Sequence, residues 1–183
     1  MSTLLETISA SLPEYAKDLK LNLSSVLRQD ELTPSQLWGT AVACAYATRN
    51  TALYEAILAE ATSNVSAEVI DAAKGAAAIM GMNNVYYRFQ HIVENPRYTE
   101  IPARLRMNIL RGHKGDPVDF ELWSLAVSAI NGCGKCVSSH ERVLRSKGVA
   151  EDAIVAAVRI ASVLSAVAGV LTIETPVELA SVN

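Results

Sequence analysis

Residues 119–140 read Asp119-Phe120-Glu121-Leu122-Trp123-Ser124-Leu125-Ala126-Val127-Ser128-Ala129-Ile130-Asn131-Gly132-Cys133-Gly134-Lys135-Cys136-Val137-Ser138-Ser139-His140. The first twelve positions carry apolar residues at helical spacing, with Pro117 expected just outside the start, and they run into a glycine turn. A second helix is expected to begin near Cys133. His140 lies four residues beyond Cys136, one helical turn, which would set its imidazole beside the Cys136 thiol. If the two helices fold back about residue 130 or 131, Glu121 and His140 sit at similar distances from the pivot and can face each other. Carboxylate, imidazole and thiol would then form a relay in which Glu121 orients His140 and His140 takes the Cys136 proton. Read alone, without the wider pattern, Glu121 is better taken as a first-turn carboxylate favoured by the helix dipole.

The chemistry of the C-x-x-C follows from its setting. A free thiol with a pKa near ~8.5 is mostly protonated at neutral pH, and one at a helix N-terminus beside a basic group ionises more readily. Gly132 and Gly134 are expected to allow a tight helix entry and leave the sulfurs accessible, and Lys135 adds positive charge. Cys136 is one turn from His140 and Cys133 about two, which favours Cys136 as the attacking thiolate and sulfenic-acid carrier. Cys133 would donate a proton to the leaving group and resolve the sulfenic acid into an intramolecular disulfide. In exchange with a partner's disulfide the order could reverse. A structural zinc site would need about four ligands, and the Cys and His residues form no second paired motif.

The sequence resembles the alkylhydroperoxidase D family of the carboxymuconolactone decarboxylase-like superfamily. Its pattern of a Glu, eleven residues, a Cys-x-x-Cys and a His after three more is matched by Glu121, Cys133, Cys136 and His140. Flanks that look like the family include Leu12-Pro13-Glu14-Tyr15, Gln36-Leu37-Trp38-Gly39-Thr40, Ala76-Ala77-Ala78-Ile79-Met80-Gly81-Met82-Asn83-Asn84 and Leu105-Arg106-Met107-Asn108-Ile109. Some members carry a second histidine immediately before the second cysteine; here that position is Lys135, to which no catalytic part is assigned. The resemblance implies an antioxidant, lipoyl-dependent peroxidase. It would reduce alkyl hydroperoxides weakly and re-reduce the peroxiredoxin alkylhydroperoxide reductase C. Electrons would come from the dihydrolipoyl group of a lipoylated acyltransferase, itself reduced by lipoamide dehydrogenase. The resemblance further implies a homotrimer; no bound cofactor is expected and, from the ligand count, no metal.

Around this hairpin the chain reads as all-α, with alanine-rich runs at 71–80 and 153–168 and loops at Glu94-Asn95-Pro96 and His113-Lys114-Gly115-Asp116-Pro117. At 183 residues it fits a single domain, with two related helical lobes, about 1–95 and 96–183, as a possible build. An internal echo supports this: Gln36–Val42 aligns with Glu121–Val127, and Val65–Ala73 with Val149–Ala157, though chance similarity between alanine-rich helices is a serious alternative. A net charge of -3 with scattered Lys and Arg gives no nucleic-acid footprint. The N-terminal residues lack an apolar leader pattern, so cytoplasmic residence is expected. Residues 153–173 approach membrane-spanning length, but Arg159, Gly169 and the hydroxyls favour a buried or interface helix. Cys44 is expected to be buried and inert, His91 and His113 solvated or structurally satisfied, and Trp38 and Trp123 core anchors. A decarboxylase of the wider superfamily and a non-catalytic helical assembly module are the alternatives. Decarboxylation of a lactone acid has no need of vicinal sulfurs.

Overall fold

The computed structural model describes residues 3–174, and within them every regular element is helical. In chain order these are α1 (Thr3–Ser11), a 3-10 turn (Glu14–Ala16), α2 (Lys17–Val26), α3 (Pro34–Thr48), α4 (Thr51–Thr62), α5 (Ala67–Ile92), α6 (Arg97–Glu100), α7 (Ile109–Gly112), α8 (Pro117–Ile130), α9 (Gly134–Ser146) and α10 (Glu151–Glu174). The expected all-α class is what is found, and both alanine-rich runs fall inside helices, α5 and α10.

Local chemistry explains the helix starts. Thr33 and Gln36 form a reciprocal capping box at α3, and Asn50 and Ser66 cap α4 and α5. At α8 the Asp116 carboxylate accepts from the backbone N–H of Val118 at 2.7 Å and of Asp119 at 3.1 Å. Pro117 is therefore the first helical residue, one step inside the boundary expected from the sequence. A first-turn N–H has no intrahelical acceptor, so proline loses nothing there.

Helix α3 is the hub. Its residues Leu37 to Ala45 are all buried, and it packs against α5, α8 and α10. A helix apolar on every side belongs in a core. Small side chains let the neighbours approach closely, most of all at Gly39, where an added Cβ would overlap the Trp123 indole of α8. Trp123 is fully buried and Trp38 nearly so, and both belong to the core, as does Cys44. α10 is long and apolar enough to cross a membrane by length and composition. Ala157, Ile160, Leu164 and Val167 bury one side of it in the core, where it packs on α2, α3 and α8.

The sequence echo has a counterpart in element order. Two short helices precede α3, α4 and α5, of 15, 12 and 26 residues. Two very short ones precede α8, α9 and α10, of 14, 13 and 24 residues. The echoed segments open α3 and α8, which pack side by side, and both sets feed one continuous core.

The Gly39–Trp123 contact yields a prediction. Alanine is ordinarily the better helix former, yet Gly39→Ala is expected to cost about 1–3 kcal/mol because the added methyl overpacks the α3–α8 crossing. Urea unfolding of the full chain measures it, and unchanged or increased stability would contradict the packing described.

Candidate active site

The site is built on the α8–α9 hairpin. After Ile130 the chain passes through Asn131 and then Gly132, whose φ of +66° is a conformation that suits glycine. The Gly132 N–H donates to the Ala129 carbonyl at 3.1 Å and the Cys133 N–H to that of Ser128 at 3.0 Å. Cys133 then caps α9, its Sγ accepting from the Cys136 N–H at 3.4 Å. The C-x-x-C thus sits at a helix N-terminus, where orphan amides favour a thiolate. Cys133 and Cys136 are joined by a disulfide, with Cα atoms 5.3 Å apart.

The two sulfurs are not equally accessible, contrary to the expectation from the flanking glycines. Cys133 is 0% exposed and Cys136 7%, and Cys136 alone of the pair lines a cavity of about 330 Å³. The glycines open the backbone, but the Cys133 side chain points inward as the cap of its own helix.

Glu121 and His140 meet across the hairpin, with His140 Nδ1 2.6 Å from Glu121 Oε2. Both line the cavity with Cys136. A carboxylate on Nδ1 favours the tautomer that carries its proton there, which leaves Nε2 free to accept one. The contact is half-sheltered, with side-chain exposures of 15% for His140 and 33% for Glu121. Lys135 reaches the same cavity, its Nζ 3.2 Å from Gln90 Oε1 and 5.6 Å from the centre of the Tyr87 ring.

Helix α5 supplies a support that sequence reasoning did not assign. Asn84 donates to Ser128 Oγ at 2.8 Å and accepts from Asn131 Nδ2 at 2.9 Å, while the Arg88 guanidinium donates to the Asn131 carbonyl. These bonds fasten the turn before Cys133 to a neighbouring helix. The available signal was the pair Asn83-Asn84 inside an alanine-rich helix.

The remaining candidates separate cleanly. Cys44 is a free thiol, and burial pushes its pKa far above the usual range, so it stays protonated and unreactive. His91 is exposed. His113 is neither solvated nor satisfied at Nδ1: it stacks on Phe120 at 4.0 Å in the cavity wall, with that nitrogen buried and unpaired. Among the described residues no group of three or more His, Cys, Asp or Glu side chains could hold a metal ion.

An all-helical scaffold that presents one sulfur of a C-x-x-C disulfide to a cavity defines a helical dithiol protein. Comparisons place this class within known families. The Carboxymuconolactone decarboxylase family model matches residues 96–174, the part of the chain that carries the hairpin. Alkyl hydroperoxide reductase AhpD of Solibacter usitatus is 58% identical over 170 residues, covering 93% of this chain and 96% of that protein. The AhpD proteins of Acidobacterium capsulatum and Brucella suis are 58% and 54% identical, with 93% and 90% of this chain covered and 93% and 94% of theirs. The chain belongs to the AhpD family of alkyl hydroperoxide reductases.

Proposed function

We propose that the protein is a thiol-dependent peroxidase that reduces alkyl hydroperoxides through the Cys133–Cys136 dithiol. The observation that carries this reading is the shared cavity of Cys136, His140 and Glu121, with Cys133 buried behind it. The name alkyl hydroperoxide reductase borne by its relatives supports the choice of substrate. In the reduced protein His140, oriented by Glu121, takes the Cys136 proton, and the thiolate attacks the terminal peroxide oxygen. Sulfur loses two electrons and becomes a sulfenic acid, and the alcohol leaves with a proton donated by Cys133. Cys133 then displaces water from the sulfenic acid and forms the disulfide. A decarboxylase would leave this pair of sulfurs without a task.

Regeneration needs a dithiol donor that can approach Cys136, and a dihydrolipoyl arm on a lipoylated acyltransferase, recharged by lipoamide dehydrogenase, meets that need. In place of a hydroperoxide, the reduced dithiol can pass its two electrons to the disulfide of the oxidised peroxiredoxin alkylhydroperoxide reductase C. Such a cycle fits a reducing compartment, and we assign the protein to the cytoplasm. A homotrimer would cover the exposed stripe of Val85, Phe89 and Ile92 on α5, a helical spacing of apolar residues. Light scattering should return three chains per particle, and a monomer mass would refute the assembly.

The roles of the sulfurs have a direct test. With one equivalent of an alkyl hydroperoxide, Cys133→Ser is expected to trap a dimedone-reactive sulfenic acid on Cys136, while Cys136→Ser reacts slowly and Cys44 stays unlabelled. Peptide mass mapping reads the site. Label on Cys133 in the Cys136→Ser protein, at a rate near the parent's, would reverse the assignment. Reduced lipoamide should restore the parent dithiol, and a disulfide that persists in its presence would remove that donor from the scheme.

A further inference from the structure

Among the described residues, five buried side-chain polar atoms have no hydrogen-bond partner: Thr40 Oγ1, Asn83 Oδ1, His113 Nδ1, Trp123 Nε1 and Ser124 Oγ. Those of Asn83, His113 and Ser124 belong to residues lining the cavity that holds Cys136. A buried polar atom without a partner costs stability, so their collection around one cavity is a feature of that cavity. His113 is only partly buried. Asn83, at 5% exposure, and Ser124, at 0%, are the deeper pair.

Both are placed by helical spacing. On α5, Met80, Asn83 and Tyr87 form one stripe toward the cavity, and on α8 Ser124 lies one turn beyond Phe120 and Glu121. Neighbouring residues of the same type are paired: Asn84 uses both ends of its amide, and Ser128 accepts from Asn84 Nδ2. Met80, Met107, Leu110 and Phe120 make one part of the wall apolar, while Glu121, His140 and Lys135 line another. Two unpaired oxygens buried in the wall, beside an apolar patch, suit a ligand with a small polar head and an apolar body.

We propose that Asn83 and Ser124 hold the peroxide group of the substrate. This rests on the peroxidase reading above. Asn83 Oδ1 accepts the O–H of the hydroperoxide, and the Ser124 hydroxyl donates to the oxygen attached to carbon, while the apolar wall takes the alkyl group. When Cys136 attacks, an S–O bond forms to the terminal oxygen, the O–O bond breaks, sulfur is oxidised by two electrons, and the alkoxide leaves. Cys133 gives the alkoxide its proton, and the proton His140 removed from Cys136 leaves with the sulfenic hydroxyl as water when the disulfide forms. The Ser124 hydrogen bond strengthens as charge gathers on the leaving oxygen, which makes it an oxyanion donor.

The test compares the parent with Ser124→Ala and Asn83→Leu, each as the reduced full chain. Single-turnover oxidation of Cys136 is followed with an alkyl hydroperoxide and with a peroxy acid, whose carboxylate leaving group needs little help. Ser124→Ala is expected to slow the alkyl hydroperoxide by about a hundredfold and the peroxy acid far less. Asn83→Leu should weaken apparent binding of both oxidants, by about tenfold for one lost hydrogen bond. Both variants should melt at or above the parent's temperature, because each removes an unpaired buried polar atom. Equal slowing of both oxidants by Ser124→Ala, no slowing, or a lower melting temperature in either variant would show a structural role and overturn the proposal. A parent inert toward both oxidants would instead remove the peroxidase reading, and this inference with it.

Discussion

The contact between His140 and Glu121 depends on a backbone reversal that has little tolerance. Nineteen residues separate the two side chains in sequence, and 2.6 Å separates their polar atoms. The join is made by a left-handed glycine, a cysteine cap and the polar bracket from Asn84 and Arg88. If α9 rotated by one residue about its axis, roughly 100° at 3.6 residues per turn, His140 would leave the face that meets α8. The cap that fixes this rotation is Cys133 itself, so the helix start, the disulfide and the facing of His140 to Glu121 all depend on one residue. Opening the disulfide removes the covalent link, but the cap bond from the Cys136 N–H can persist.

The packing at α3 serves the same hairpin. α8 presents Trp123 to Gly39 on one side and Phe120, Glu121 and Ser124 to the cavity on another. Close approach at a glycine sets the depth of α8 in the core, and therefore the height of the cavity floor. Interiors are packed densely enough that a displaced methyl-sized volume is felt by neighbours. The result is a rigid wall facing a cavity with unpaired polar atoms, a combination expected where binding offsets a local loss of stability.

Much of this was legible in the sequence because the informative residues are close together in the chain. Cys136 and His140 are one turn apart, and the pivot follows from a glycine between two periodic segments, so the hairpin and its facing pair could be drawn without coordinates. The α8 boundary differs by one step because Asp116-Pro117, an N-cap and first-turn pair, also suits a loop of the kind expected over His113–Pro117. The contributions of α5 were out of reach for a different reason. Asn83, Asn84 and Arg88 lie more than forty residues before the turn at Asn131, and the rotation of a 26-residue helix is set by its tertiary contacts rather than by its own pattern.

The central claim is that the Glu121–His140 pair activates Cys136 across the hairpin. The most direct measurement is the pH dependence of Cys136 alkylation in the reduced protein, comparing the parent with His140→Ala and Glu121→Gln. The account predicts that the acidic limb of the profile moves to higher pH in both variants, more in His140→Ala, with much of the lost rate recovered once external base ionises the thiol. Profiles that superimpose on the parent's would contradict it, and would leave the helix N-terminus as the source of activation.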